Sequence, residues 1–181
     1  MKKYVFGLLT IFSVFIISAC SVKNTENKTS DDTKTVKKEN SKKEKYYFKN
    51  NKLVMQDVDI NITDEKIIQP GETGNEYGEK PVIAFWYETT NKTNKEINPM
   101  TAWISAFKAI QDNNKNSVNE LDVGMLPDEQ FLDSQSENIK KNGTVKNAIS
   151  YELDDTNTPV QLTATKGYDE TKLGTMTYNL K

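Results

Sequence analysis

The chain contains no histidine and no arginine, so the side chains left to do chemistry are carboxylates, lysines, hydroxyls and one cysteine, Cys20. Without histidine, the usual general base near neutral pH and the commonest metal ligand are both missing. Without arginine, the bidentate fork that clamps phosphate or reads guanine edges is missing as well. Zinc, copper and haem lose their usual donors, and no glycine-rich phosphate loop occurs. A formal charge of -2 and a pI of about 5.4 set nucleic-acid binding aside. No metal and no cofactor is therefore expected.

Three arrangements of the remaining groups test against known chemistry. "DVDINITDE" places Asp57, Asp59, Asn61 and Thr63 at the spacing that opens a calcium loop, but such a loop needs Gly at its sixth position and Glu at its twelfth, where Ile62 and Ile68 stand. "DNNKNSVNE" fails in the same way, with Ser117 and Val123 at those positions. Adjacent Asp154 and Asp155 are a carboxylate pair of the kind glycosidases use, yet they precede "TNTP", and Asp favours turns through its own side-chain hydrogen bonds. A serine nucleophile lacks histidine and would need lysine as its base. Among the aromatics Trp86, Tyr87, Trp103, Tyr168 and Tyr178, core burial is the commoner fate. Trp86 and Trp103, expected close together, are the two candidates to line a ligand patch.

The elements that must position these groups read as β-structure. In "LVMQDVDINIT" at 53–63, Val54, Val58, Ile60 and Ile62 share one parity and the polar residues the other, the pattern of a half-buried strand. "PVIAFWYETT" at 81–90 is apolar on both parities and predicts a central strand covered on both faces. "VKNAISYEL" at 145–153 follows the turn signal Asn142-Gly143, and "VQLTAT" at 160–165 and "LGTMTYNL" at 173–180 are two further short strands. Weaker strands are "KIIQ" at 66–69 and "FKAIQD" at 107–112. "NPMTAWISAF" offers Asn98 as N-cap and Pro99 at the first helical position, predicting a helix from 99 to about 105 that leads into a strand. The polar connection from Asn113 to Lys141 contains "LDVGMLPDEQFLD" and is too long for a hairpin, so it must cross between sheets or hold a short helix. Short strands at this spacing give an all-β sandwich or barrel of about seven strands with one short helix.

Upstream, Lys2 and Lys3, an apolar run from Tyr4 to Ile17 and the small residues Ser18 and Ala19 have the three-part layout of a secretory signal. The run is short and interrupted for a membrane-spanning helix, which needs about 20 apolar residues. Ile17, Ser18, Ala19 and Cys20 resemble a lipobox, the motif that ends bacterial lipoprotein signal peptides. The resemblance implies a diacylglyceryl group on the Cys20 sulfur and cleavage between Ala19 and Cys20. Two acyl chains are what stable anchoring generally requires. From Ser21 to Lys45 the sequence carries 8 lysines against 5 acids and only two aliphatic residues, which predicts a disordered, basic tether. Its root-mean-square reach would be about 25 to 30 Å. The expected organisation is therefore a signal peptide at 1–19, lipidated Cys20 and tether to residue 45, and a folded domain at 46–181. That domain has 14 lysines and 21 acids, a net of -7.

"VIAFWYETTNKTNKEINP" and "NGTVKNAISYELDDTNTPVQLTAT" resemble an uncharacterised family of lipoproteins from Gram-positive bacteria, and the resemblance covers most of residues 46–181. It implies an immunoglobulin-like β-sandwich on the outer face of the cell membrane and transfers no catalytic residue. The function expected is a non-enzymatic binding module, held to the membrane through Cys20 and partnered by a protein or a wall polymer. The alternatives are a hydrolase working through carboxylates alone and the substrate-binding lipoprotein of a transporter, which would need two lobes around a pocket.

Overall fold

The computed structural model describes residues 46–167 and 171–180; the signal, Cys20, the tether and Tyr168 lie outside the described residues. Eight strands form two antiparallel sheets that enclose one main core. The first sheet contains β1 (Tyr47–Lys49), β2 (Lys52–Val54), β3 (Val58–Ile68), β4 (Val82–Asn91) and β6 (Thr144–Glu152), in the order β1-β2-β3-β4-β6. The second has the order β5-β7-β8, from β5 (Phe107–Gln111), β7 (Val160–Lys166) and β8 (Thr171–Tyr178). The pairings β3-β4-β6 and β5-β7-β8 repeat the A-B-E and C-F-G orders of an immunoglobulin sandwich. Val123, which bridges to Tyr151 at the far edge of β6, stands where a D strand would. The expected two-sheet sandwich with one short helix is what forms.

The sequence patterns explain most of this and also its departures. Asn50 and Asn51 both take positive φ, 52° and 59°, which closes β1 onto β2 in a two-residue hairpin. The strand expected across 53–63 is broken at Met55, Gln56 and Asp57, where the Met55 N–H donates to the Val58 carbonyl at 3.0 Å and turns β2 back against β3. The buried residue of β2 is accordingly Leu53 rather than Val54. The separate strand expected at 66–69 is the end of β3. A bulge at Thr63, between the pairs Ile62–Tyr87 and Asp64–Trp86, reverses the facing parity. Val58, Ile60 and Ile62 therefore face the main core before the bulge and Ile67 after it, while Ile68 joins Val82 and Ala84 on the outer face.

Helix α1 (Pro99–Ala106) begins as the sequence predicts, the Asn98 side chain accepting from the Thr101 N–H at 2.8 Å. It drops Trp103, fully buried, between the sheets, where the indole meets Phe85, Tyr87 and Phe107 with ring centroids 5.7, 4.4 and 4.5 Å apart. Trp103 Nε1–H donates to the Tyr151 hydroxyl at 2.8 Å. The expectation that Trp86 and Trp103 pack together is corrected here. Trp86 has the opposite parity to Phe85 and Tyr87 and so lies on the outer face of β4, with the sheet between the two indoles.

Along the other side of the sandwich β8 runs close to β1. A Cβ on Gly174 would fall on the Phe48 carbonyl oxygen, so only glycine permits this approach. Gly174→Ala is expected to destabilise the domain by about 1 to 3 kcal/mol through the forced separation of β1 and β8. An unchanged urea midpoint would show that the approach is not tight.

Candidate functional site

The long connection between β5 and β6 both crosses between sheets, as expected, and folds two 3₁₀ turns, Glu129–Phe131 and Ser134–Ser136. It first pairs with β5, the Leu121 N–H donating to the Ala109 carbonyl at 2.8 Å. It then passes over the outer face of the five-stranded sheet, pinned to β6 by Gly124 N–H to Ser150 O (2.9 Å), Glu152 N–H to Asp122 O (2.9 Å) and Ser150 Oγ–H to Met125 O (2.6 Å). This crossing explains why β6 buries Ala148 and Ser150 as well as Ile149 and Tyr151.

A second loop, residues 69–80, rises beside it from the β3–β4 end. Buried Asn75 holds its base, Nδ2 donating to the carbonyls of Ile68 (3.2 Å) and Lys80 (2.9 Å). Gly74, at φ 91°, touches the crossing segment at the Pro127 carbonyl, where a side chain would collide. Between the two loops lies a cleft of about 530 Å3. Its floor is Ile68 and half-buried Trp86, one wall carries Glu76 and exposed Tyr77, and the other carries Met125, Leu126, Asp128 and Glu129. Lys66 is the cation among the lining residues.

Trp86 is held in place rather than merely present. Its Nε1–H donates to Asp128 Oδ2 at 2.9 Å, and the same carboxylate accepts from Gln130 Nε2 (2.6 Å) and the Gln130 N–H (3.2 Å) as it caps the first 3₁₀ turn. Burial works to raise the Asp128 pKa, but the bonds from Trp86 and Gln130 outweigh it and keep the carboxyl below its ordinary value. Asp128 is thus ionised and its lone pairs are largely occupied. It orients the indole and is poorly suited to give or take protons.

A model of the domain family of unknown function DUF5067 matches residues 31–166. The chain belongs to the DUF5067 family. No curated protein matches it. A solved structure described as a presumptive lipoprotein of Staphylococcus aureus is 23% identical, with a TM-score of 0.62 over 73% of this chain and 90% of that one. A protein from Enterococcus faecalis solved by NMR is 21% identical, with a TM-score of 0.56 over 75% of this chain and 93% of that one. At these identities the likeness extends to the fold alone.

The residues singled out in the sequence separate clearly. Of the two tryptophans, Trp86 lines the cleft and Trp103 is sealed in the core. Asp57 and Asp59, at calcium-loop spacing in the sequence, pair with Lys95 (2.5 Å) and Lys92 (2.8 Å). Asp155 takes the turn role: its carboxylate accepts from the N–H groups of Thr158 (2.6 Å) and Asn157 (2.8 Å) and from Asn113 Nδ2 (3.1 Å), which together hold it well below the usual carboxylate range. Asp154 is bonded by Asn119 Nδ2 at 2.7 Å and lies 3.3 Å from Lys80 Nζ. A Ser-x-x-Lys spacing does occur, at Ser105 and Lys108, but it straddles the end of α1. Ser105 Oγ–H donates to the Ala102 carbonyl, and Lys108 in β5 pairs with Glu120 at 3.7 Å. No helical turn brings the two groups together as nucleophile and base.

The cleft residues that the sequence reading missed include Glu76, Tyr77, Met125, Leu126, Pro127, Asp128 and Glu129. The available signal was an apolar island, "VGMLP", inside an otherwise polar connection. Apolar residues in a long loop point to a surface that the loop covers or presents.

Proposed function

We propose that this DUF5067 chain is a lipid-anchored, non-catalytic binding module on the outer face of the cell membrane. The observation that carries the binding half is the cleft itself. Its aromatic floor is fixed by a carboxylate already committed to Trp86 and Gln130, and its walls are two loops secured by their own hydrogen bonds. Such a site is preorganised to hold a ligand. The hydrolase alternative loses its best support, because Asp154, Asp155 and Asp128 are each engaged in holding loops. The transporter alternative requires two lobes, whereas the described residues form one sandwich. The anchoring half rests on the lipobox-like residues 17–20 at the end of an apolar run too short and interrupted to span a membrane.

Both halves are open to direct test. Cys20→Ala is expected to abolish incorporation of a fatty-acid probe and to leave an unprocessed precursor; unchanged labelling would refute the anchor. A photo-crosslinking side chain at Tyr77 is expected to give adducts on intact cells, and one on the β1–β2 turn at Asn50 none. Turnover of a glycan or peptide substrate by the purified chain would overturn the non-catalytic reading.

A further inference from the structure

Seven large apolar side chains are exposed among the described residues, and five of them fall on one continuous stripe. Met100 and Ile104 are one turn apart on α1, both exposed, outside the arc of the helix that buries Pro99, Ala102, Trp103 and Ala106. Met100 shares a shallow depression with Val123 and Met125, and Met125 in turn lines the cleft with Tyr77 and Trp86. Ile104 is 51% exposed, Met125 54% and Tyr77 85%, and it is their continuity that marks an interaction surface. The stripe thus extends the cleft across the crossing segment onto the helix.

We infer that this stripe docks a basic, amphipathic polypeptide segment of another protein; the inference rests on the binding-module reading and names its partner class. Charge decides among the possible occupants. Exposed Glu76, Asp122 and Glu129 border the apolar residues, with Lys66 the cation of the cleft lining. The segment 46–181 has a net charge of -7. A phosphate-rich wall polymer or an anionic lipid surface would be repelled, and so would a second copy of the same face. A segment with apolar side chains on one side and lysines or arginines along its margins satisfies both features, its cationic groups reaching the carboxylates and the ring of Trp86. Two methionines on the stripe let it adapt to a partner's shape.

The test uses the chain lacking residues 1–41, since the described residues 46–167 and 171–180 enclose a core of their own. It would be titrated with a synthetic amphipathic helix of leucine and lysine, with the same helix carrying glutamate for lysine, with an N-acetylglucosamine oligomer, and with vesicles of phosphatidylglycerol. The lysine peptide is expected to saturate, to protect amides in 100–104, 123–126 and 74–77 from exchange, and to change the fluorescence of Trp86 but not that of buried Trp103. Met100→Ser with Met125→Ser should weaken it at least about ten-fold, and Glu76→Gln with Glu129→Gln at least about three-fold. Equal binding of the glutamate peptide, insensitivity to both pairs of substitutions, binding to the vesicles instead, or concentration-dependent dimerisation that the Met pair abolishes would each overturn the inference. If the oligosaccharide alone perturbs Trp86, the partner class is wrong and the binding-module reading stands. If none of the four probes binds, the inference falls, and turnover of a substrate by the same chain would then bring down the module reading with it.

Discussion

Trp103→Ala is expected to lower the unfolding free energy by about 3 to 5 kcal/mol, the largest effect of any single substitution in the core. The indole is fully buried and touches Phe85, Tyr87 and Phe107, side chains contributed by both sheets. Alanine leaves a ring-sized cavity at their meeting point, and it removes the donor to the buried Tyr151 hydroxyl. For a domain of this size the loss corresponds to a fall in Tm of roughly 10 to 20 °C. Trp103→Phe keeps most of the packing and loses the hydrogen bond, so its cost should be intermediate. Trp86→Ala gives the contrast, because a half-buried outer-face indole contributes only about 1 kcal/mol by burial. Urea unfolding of the three variants orders them, and a Trp103→Ala midpoint near that of Trp86→Ala would show that the core does not depend on the helix.

The sequence made the sheets legible because apolar alternation survives wherever one face of a strand is wet. β7 shows this, burying Val160, Leu162 and Ala164 with polar residues between them. It also made α1 legible, because Asn98 and Pro99 mark a helix start whatever follows. Three features escaped for separate physical reasons. The break at Met55–Asp57 separates β2 from β3 without glycine or proline, so nothing punctuates the pattern. The bulge at Thr63 reverses parity within one strand, which a fixed period of two reads as two strands. The cleft is assembled from Trp86, Tyr77 and Asp128, whose proximity depends on where two loops lie over a sheet. Only Trp86 was visible as a candidate, and its partner Asp128 is 42 positions away along the chain. The buried polar residues were equally illegible. Gln111 reads as a strand-end amide, yet its two ends secure the β6–β7 turn, Nε2 donating to Asp155 O and Thr158 O and Oε1 accepting from Asp154 N–H.

The core aromatics also set an upper pH limit on the fold. Tyr151 is pushed up to about 12 by burial, against the opposing bond from Trp103, and Tyr87 and Tyr178 are raised further, again chiefly by burial. All three keep their protons in the folded state at a pH where the unfolded chain, titrating near 10, has begun to lose them. Their stabilising contribution is therefore complete below about pH 10 and declines as pH rises from there through the folded-state values. Each tyrosine adds about 1.4 kcal/mol per pH unit to the decline, about 4 for the three together, so a domain of ordinary stability should unfold steeply between about pH 11 and 12. Tyr87→Phe isolates one contribution, because the Tyr87 hydroxyl has no hydrogen-bond partner among the described residues and its loss should cost little near neutral pH. In the alkaline range the same variant should be the more stable protein, its pH slope reduced by about a third. Urea midpoints followed from neutral to alkaline pH, with tyrosinate absorbance as a second probe, decide the matter. Parallel curves for Tyr87→Phe and the parent would mean that the buried phenol does not control the alkaline transition.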